Sequence, residues 1–382
     1  MRRIAIPCFA VLVSVMMAAG CCAVRSTPEQ TAPVRKKVGF FTDNGCRGGG
    51  VFFWARLLAY SPQLELVLVD GADLRAGKLQ GLDLLVCPGG GSGRQLETMQ
   101  SAGRDALRKF IADGGAYLGI CAGCYNVLND KSRLQLLPYN YKRRAAGKSA
   151  RLTVEVNRRG AELMGIAPER WQVRYAGGPI MEKTAPLAAG KGETLAVFRS
   201  SISGIDRKPV DFIGTPAIIY GTYGKGKVVA SSVHPESFES SYPIALGCLY
   251  AASGIKATPV FPKKNYRPVR VGFYTGSLNG KQSVINMLEL DRHPELDVEL
   301  IDGDSVDQGV LHHLDVLIIP DAIADRNKSV FAGKRRTAQI TRFLDDGGKV
   351  LYSGNGNASL PTHKNIINVP MGGSFVPYAL KK

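Results

Sequence analysis

A cysteine stands in a sequence pattern that exposes a nucleophile. Cys121 is the middle residue of Gly-Ile-Cys-Ala-Gly at positions 119–123, directly after the apolar run 116–120. The form glycine-x-nucleophile-x-glycine is typical of a nucleophile elbow, because the glycines permit a sharp turn and keep side chains away from the reactive atom. A helix beginning after Cys121 would point its N–H groups and dipole at the sulfur and favour the thiolate. We therefore predict Cys121 as a catalytic nucleophile.

A base for this cysteine is predicted in a later segment. A glycine turn at residues 224–226 leads into an apolar run that ends at His234, and Glu236 follows two residues on. Side chains at i and i+2 of an extended chain point the same way. We therefore expect the Glu236 carboxylate to hold the His234 imidazole for work as a general base.

A glycine-rich segment completes the candidate site. Residues 88–91, Pro-Gly-Gly-Gly, follow an apolar run. Because glycine has no side chain, they are expected to leave their backbone N–H groups accessible. Together with the N–H of Ala122, this segment is expected to form an oxyanion hole.

The elements that must position these residues occur twice in the chain. Four segments of the first half recur in the same order in the second half, 232 or 233 residues further along the chain. The recurring pairs are 38–42 with 271–275, 66–71 with 298–303, 83–88 with 315–320, and 110–115 with 343–348. Each copy alternates apolar runs with helical patterns, which indicates an α/β fold of parallel strands with crossover helices. In the second copy Gly354 falls at the position of Cys121, so we expect that copy to be catalytically inactive.

The site segments resemble a known family. Residues 114–123 and the Tyr-Ala-Gly-Gly-Pro at 175–179 resemble the amino-terminal domain of eukaryotic-type biotin–protein ligases, within the class I glutamine amidotransferase-like family. The resemblance covers roughly residues 38–238 and implies a flavodoxin-like sheet. It implies these roles: nucleophile Cys121, base His234, orienting acid Glu236, oxyanion-hole amides from Gly90 and Ala122, and cleft-lining Gly89 and Gly178. The chain has no glycine-rich phosphate loop for ATP, so biotin transfer is not expected.

The resemblance and the repeat together divide the chain. We predict two tandem flavodoxin-like three-layer domains, the second shorter and degenerate. The predicted segments are a signal peptide 1–20, a tether 21–35, a class I glutamine amidotransferase-like domain 36–253, a linker 254–266 and a degenerate repeat 267–382.

The beginning of the chain predicts export. Arg2 and Arg3 precede an apolar stretch that ends in Ala-Ala-Gly before Cys21, which is typical of a bacterial lipoprotein signal. We expect a lipid anchor at Cys21 and a location in the bacterial cell envelope; plain secretory cleavage is the alternative. The 49 lysines and arginines exceed the 32 acidic residues, for a formal net charge of +17. In an exported protein this charge favours anionic envelope surfaces over nucleic acid.

Three functions remain open at this point. The first is a cysteine-dependent amidohydrolase or amidotransferase-like enzyme acting on a small amide-bearing substrate. The second is an envelope protein that binds a ligand in the same cleft without catalysis. The third is a thiol-redox protein, because Cys121 and Cys124 form a C-x-x-C pair. No metal and no cofactor are expected, since His234 has no second histidine or ligand cluster near it in the first copy.

Overall fold

The computed structural model describes most of the chain after the predicted leader. Its described residues are 35–143, 149–185, 190–203, 209–210, 212–276, 280–320, 333–354 and 360–381. The predicted signal peptide, the predicted lipidation residue Cys21 and nearly all of the predicted tether lie outside them. Residues from Arg35 onward belong to one compact unit. No helix within the described ranges is both long and apolar enough to span a membrane.

The first sheet has nine strands. The strand bounds are β1 Lys36–Phe41, β2 Leu64–Val69, β3 Leu84–Cys87, β4 Ala116–Ile120, β6 Ser149–Val156, β7 Arg170–Ala176, β9 Gly190–Phe198, β12 Pro216–Tyr223 and β13 Gly226–Ser231. Their order is β2-β1-β3-β4-β13-β12-β9-β6-β7. The first five strands run parallel, and β12, β9, β6 and β7 then extend the sheet in antiparallel pairs. The parallel part has the 2-1-3-4-5 order of the flavodoxin type.

Six helices of the described chain and two small ribbons accompany this sheet. The helices are α1 Gly49–Ala59, α2 Gly71–Arg75, α3 Ser92–Ala112, α4 Ala122–Asn126, α5 Arg158–Met164 and α6 Tyr242–Ser253. The ribbons pair β5 Tyr139–Arg143 with β8 Ile180–Lys183, and β10 Ile202–Ser203 with β11 Pro209–Val210. Apolar spacing explains the longest helix: Leu107 and Ile111 of α3 are fully buried, as their common face predicts.

The second sheet repeats the parallel part of the first. Its strands are β14 Val269–Tyr274, β15 Leu296–Ile301, β16 Val316–Ile319, β17 Lys349–Ser353 and β18 Ile366–Val369. The order is β15-β14-β16-β17-β18, and every pairing is parallel. Its helices are α7 Lys281–Arg292, α8 Gly303–Asp307, α9 Lys334–Asp345 and α10 Val376–Leu380. The predicted α/β class with two flavodoxin-like sheets is therefore confirmed, whereas the domain bounds stay a prediction.

The two sheets are joined through α1 and α7. Phe52 of α1 packs edge-to-face on Phe273, with ring centroids 5.1 Å apart. The Asp291 carboxylate of α7 is buried and accepts hydrogen bonds from the Arg56 guanidinium at 2.9 Å and the Tyr60 hydroxyl at 2.8 Å. Burial and this neighbouring carboxylate raise the pKa of Tyr60, so the phenol stays a donor. Apolar packing and a buried ion pair thus fix α1 against the second sheet.

Candidate functional site

Cys121 lies on a strained turn between β4 and α4. Its backbone has φ 52° and ψ −95°, a conformation that residues with a Cβ rarely adopt. Such a backbone costs on the order of 1–3 kcal/mol and persists only where the surroundings impose it. The flanking glycines are needed for space: a Cβ on Gly119 would strike the Gly123 carbonyl, and a Cβ on Gly123 would strike the Cys87 carbonyl. The nucleophile elbow that the sequence predicts is present as a backbone geometry.

Hydrogen bonds hold the elbow in place. The Cys121 N–H donates to the Ser231 carbonyl at the end of β13, at 2.8 Å. The Cys121 carbonyl accepts from the Tyr125 N–H at 3.1 Å. The sulfur lies 3.7 Å from the Ala176 carbonyl, and the residue is only 5% exposed. The thiol is therefore fixed at the carboxyl ends of β4 and β13, near the surface but shielded.

His234 and Glu236 are brought together by a turn. His234 Nδ1 and Glu236 Oε1 are 2.8 Å apart, and both side chains are buried. The prediction that an extended chain would align them is wrong, because β13 ends at Ser231 and Pro235–Ser237 form a 3₁₀ turn. The His234 N–H donates to the Arg174 carbonyl at 2.7 Å, which anchors the start of this turn. The pairing that was predicted is present, by a different backbone route.

The surroundings favour a proton on His234. Burial alone lowers the pKa of His234, but the Glu236 carboxylate and the Cys121 side chain outweigh it and raise that pKa to about 10. Nδ1 faces Glu236, while Nε2 has no hydrogen-bond partner of standard geometry among the described residues. After Glu236, the Cys121 side chain is the group that raises the pKa of His234 most. The imidazole is thus oriented on one side and available on the other.

Two glycines pack directly on this pair. A Cβ on Gly89 would come within 2.7 Å of the His234 ring, so Gly89 packs directly against the imidazole, and its predicted role in lining the cleft stays a prediction. A Cβ on Gly50 of α1 would come within 2.5 Å of Glu236 Oε1. Gly50 was not singled out from the sequence. Its run of glycines at 48–50 was visible, but nothing in it indicates contact with a residue far along the chain.

The predicted oxyanion-hole residues lie at the correct ends of their elements. Ala122 is the first residue of α4, where an N–H has no acceptor within the helix. Gly90 follows β3 with φ 140° and bridges to Cys46 in the preceding loop. The approach is so close that a Cβ on Gly90 would overlap the Gly45 carbonyl. Their distance to a reacting oxygen is not fixed by these contacts, so the role of both amides stays a prediction.

A cavity of about 540 Å³ opens beside the elbow. It is lined by loop residues after β1 and β3 and by the segment that follows Cys121: Gly45, Arg47, Gly90, Gly91, Ser92, Gly93, Arg94, Tyr125, Leu128, Asp130, Arg133, Tyr141 and Gly177. The predicted lining residue Gly178 is not among them; its place is taken by Gly177, because Gly178 is packed tightly against Ser232. The cavity lies where the strand order reverses, which is the usual ligand position in such sheets.

The C-x-x-C pair of Cys121 and Cys124 is poorly suited to redox chemistry. Cys46, Cys87, Cys121, Cys124 and Cys248 are all free and buried. Burial raises the pKa of Cys124 well above its usual value, and its sulfur faces that of Met181 at 3.6 Å. A thiol kept protonated against an apolar neighbour is a poor partner for a C-x-x-C redox pair. Within the described ranges, no three His, Cys, Asp or Glu side chains are grouped to hold a metal ion.

Comparison with known proteins gives matches in the same region. The family described as the N-terminal part of biotin–protein ligase matches residues 77–130. The chain is 28% identical to a biotin–protein ligase from Schizosaccharomyces pombe over 189 residues, which are 42% of this chain and 26% of the ligase. It therefore spans about a quarter of that relative. The family match includes β3, β4 and the elbow.

Three further similarities each include most of the length of the other protein. The chain is 29% identical over 198 residues to the PurQ subunit of phosphoribosylformylglycinamidine synthase from Rhodopseudomonas palustris, covering 48% of this chain and 82% of the subunit. The solved structure of PurLQS from Thermotoga maritima has a TM-score of 0.42 at 15% identity, covering 56% of this chain and 98% of that one. A ThuA-like protein from Bacteroides uniformis has a TM-score of 0.41 at 16% identity, covering 59% of this chain and 93% of that one.

Proposed function

We propose that this chain, a member of the class I glutamine amidotransferase-like family, is a cysteine-dependent amidohydrolase that acts on a small amide-bearing substrate. The observation that carries the proposal is the state of His234: Nδ1 is held by Glu236, and Nε2 is left available beside Cys121. A base oriented on one side and free on the other is the arrangement that activates a nucleophile.

The reaction follows from these positions. Because its raised pKa favours the imidazolium form, His234 first takes the proton of Cys121, and the thiolate Sγ then attacks the amide carbon. The N–H groups of Gly90 and Ala122 stabilise the tetrahedral oxyanion. His234 then returns the proton to the leaving nitrogen, and the carbon–nitrogen bond breaks to give a thioester. Water, deprotonated by His234, hydrolyses the thioester and regenerates the thiol.

Hydrolysis is the simpler of the two outcomes that such a thioester allows. Transfer of the released ammonia needs an acceptor site that binds and activates a second substrate. The described residues contain no phosphate loop of the ATP-binding type that would activate such an acceptor. We therefore propose release of ammonia or an amine to solution.

Ligand binding without catalysis is the second candidate. The observation that favours it is the shielding of Cys121, which is 5% exposed. In that case the cavity beside the elbow would hold a ligand, and the thiol would not form a covalent intermediate.

An ammonia-release assay distinguishes the two candidates. The purified protein is incubated with a panel of amide-bearing amino acids and cell-wall fragments, and ammonia is measured for the wild type, Cys121→Ala and Gly354→Ala. We expect release by the wild type and by Gly354→Ala, and none by Cys121→Ala. Saturable binding of a panel member with no release by the wild type would support the ligand-binding candidate and contradict hydrolysis.

We also propose that the protein is anchored in the bacterial cell envelope by a lipid on Cys21. The support is the pattern of small residues before that cysteine, behind a basic and apolar start. Metabolic labelling with an alkynyl fatty acid tests it, with the neighbouring Cys22→Ser as the matched control. Label lost in Cys21→Ser and kept in Cys22→Ser is the expected result; label retained in Cys21→Ser would contradict the anchor.

A further inference from the structure

The segment that joins the two sheets combines exposed apolar side chains with positive charge. Residues 254–268 contain four lysines or arginines and no acidic residue. All of them are described, and none lies in a helix or strand. Three of their large apolar side chains are exposed: Val260 by 67%, Phe261 by 44% and Tyr266 by 92%. Such side chains are costly to leave in water unless something covers them.

Most of the positive charge of this segment is unneutralised. Lys256, Lys263 and Arg267 are exposed, and no described carboxylate lies at ion-pair distance from them. The fourth basic residue, Lys264, differs, because its Nζ lies 3.7 Å from the buried Asp291 carboxylate and ties the segment to α7. The three free cations and the three exposed apolar side chains together are called the linker surface: Lys256, Val260, Phe261, Lys263, Tyr266 and Arg267.

The linker surface lies at the amino ends of the strands of both sheets. The Val260 N–H donates to the carbonyl of Tyr60, at the end of α1, at 2.8 Å. The Asn265 N–H donates at 2.8 Å to the carbonyl of Pro294, between α7 and β15. Loops that lead from a helix into a parallel strand lie at the amino ends of such strands. Cys121 follows β4 at the carboxyl ends, so the candidate site and the linker surface are at opposite ends of the first sheet.

The described chain begins at the same end. The Gln63 carbonyl accepts from the Lys36 N–H, at the start of β1, at 3.0 Å. The Gln63 side chain accepts from the Thr258 N–H of the linker at 3.2 Å. Cys21, the predicted lipidation residue, stands 14 residues before Arg35. Even fully extended, that stretch spans at most about 50 Å, so a lipid on Cys21 would keep this end of the molecule close to a membrane.

We infer that the linker surface docks on an anionic phospholipid membrane. Its basic side chains contact the headgroups, and its apolar side chains enter the boundary between headgroups and acyl chains, where tyrosine is favoured. The cleft at Cys121 then opens away from the membrane, toward substrates in solution. Docking requires neither the proposed reaction nor the lipid on Cys21, because the contacts come from the linker itself.

Vesicle sedimentation tests the docking. The chain from Arg35 onward is used, because it forms one compact unit and carries no lipid. Its affinity is compared for vesicles of phosphatidylcholine alone and vesicles with one quarter phosphatidylglycerol. Two triple variants remove three exposed cations each. The linker triple is Lys256→Gln, Lys263→Gln and Arg267→Gln. The control triple, near the elbow and its cavity, is Lys131→Gln, Lys142→Gln and Lys183→Gln.

The two triples should differ strongly. A basic residue near an anionic membrane raises the affinity about fivefold, so the linker triple should bind the anionic vesicles about 10²-fold more weakly than the wild type. The control triple should lose less than about threefold, because its side chains lie at the other end of the sheet. The wild type should bind vesicles of phosphatidylcholine alone at least about tenfold more weakly than the anionic vesicles.

A fluorescence experiment tests the orientation. Tyr266→Trp places an indole on the linker surface, and the matched control Met371→Trp places one after β18, at the carboxyl ends of the second sheet, where Met371 is 73% exposed. With anionic vesicles that contain brominated lipid, we expect bromine to quench the added emission in Tyr266→Trp and not in Met371→Trp. Equal quenching in both, or quenching of Met371→Trp alone, would contradict the orientation.

Other outcomes would overturn the docking itself. They are absence of binding to the anionic vesicles, and equal losses in the linker and control triples, which would assign the binding to overall net charge. A dimer that the linker triple dissociates, with no vesicle binding, would instead assign the linker surface to a second copy of this chain. None of these results would affect the amidohydrolase proposal, because the linker surface contributes no residue to the candidate site.

Discussion

The two sheets of this protein share a scaffold and differ at the residues that do chemistry. Both have the 2-1-3-4-5 strand order, and both begin the helix after the second strand with an aspartate cap, Asp70 in the first and Asp302 in the second. At the end of the fourth strand, however, the first sheet has Cys121 and the second has Gly354. The φ angles are 52° and 68°, so both positions have a positive φ although only the first carries a nucleophile.

The base is missing in the same way. Ser231 pairs with Ile120 in the first sheet, and Val369 pairs with Ser353 in the second. Three residues after Ser231 stands His234; three residues after Val369 stands Gly372. The second sheet thus shows the fold without the site. The comparison teaches that a positive φ at this position occurs in both copies, and that only the first copy places a reactive side chain on it.

Removing the nucleophile is expected to have the largest effect. Cys121→Ala should lower amide hydrolysis at least about 10³-fold, because no other group can form the thioester. Gly354→Ala, the corresponding change in the second sheet, should leave the rate unchanged. Ammonia release by both variants checks this. Comparable losses of ammonia release in Cys121→Ala and Gly354→Ala would mean that residue 121 acts through the stability of the fold and not as a nucleophile.

Removing the buried carboxylate between the sheets should cost stability. Asp291→Asn loses the ion pair with Arg56, which we expect to lower the free energy of unfolding by about 2–3 kcal/mol. The control is Asp346→Asn, whose pair with Arg342 is exposed and should contribute less than about 0.5 kcal/mol. Urea unfolding measures both. Equal effects would show that the second sheet does not brace α1, the helix that carries Gly50.

The orienting carboxylate should control the titration of His234. In Glu236→Gln we expect the pKa of His234 to fall from about 10, since the charge that outweighs burial is removed. A folded-state pKa raised above the ordinary 6.5 stabilises the fold below about pH 6.5, and this contribution is lost as the pH rises toward about 10. NMR titration of the labelled imidazoles measures the pKa directly. A pKa that is the same in both proteins would remove Glu236 from the proposed mechanism.

The smallest expected effect concerns backbone strain. Cys121→Gly should unfold with a free energy about 1 kcal/mol higher than Cys121→Ala, because glycine adopts a positive φ without cost and both variants lack the thiol. The glycine already present at position 354 is the natural counterpart of this change. Equal stabilities, measured by thermal unfolding, would show that the elbow is not strained.

Much of the fold and part of the site could be predicted from the sequence. Buried parallel strands leave continuous apolar runs, so the repeat could be seen in the sequence. A cysteine between two glycines after such a run predicts a sharp turn at the cysteine. The antiparallel extension through β12, β9, β6 and β7 was not predicted, since its β12–β9 and β6–β9 pairings join strands that other strands separate along the chain.

Other parts of the site depend on contacts that local patterns do not encode. Gly50 reaches Glu236 only because α1 packs beside the turn at residues 235–237. The densest basic stretch of the sequence contains Lys142 and Arg151, yet the arginines of the cavity come from three separate segments. Spacing along the chain therefore predicted residues that lie within one turn, such as the His234–Glu236 pair. It missed residues that come together only in the tertiary fold, such as Gly50 and the arginines of the cavity.

The central claim is that His234 activates Cys121, and covalent labelling tests it most directly. A diazoketone analogue of glutamine is incubated with the wild type and with His234→Ala at neutral pH, and the site of modification is found by peptide mass spectrometry. We predict one adduct on Cys121 in the wild type, formed at least about 10²-fold more slowly in His234→Ala. Equal labelling of the two proteins, or an adduct on Cys46, Cys87, Cys124 or Cys248 instead, would contradict the account.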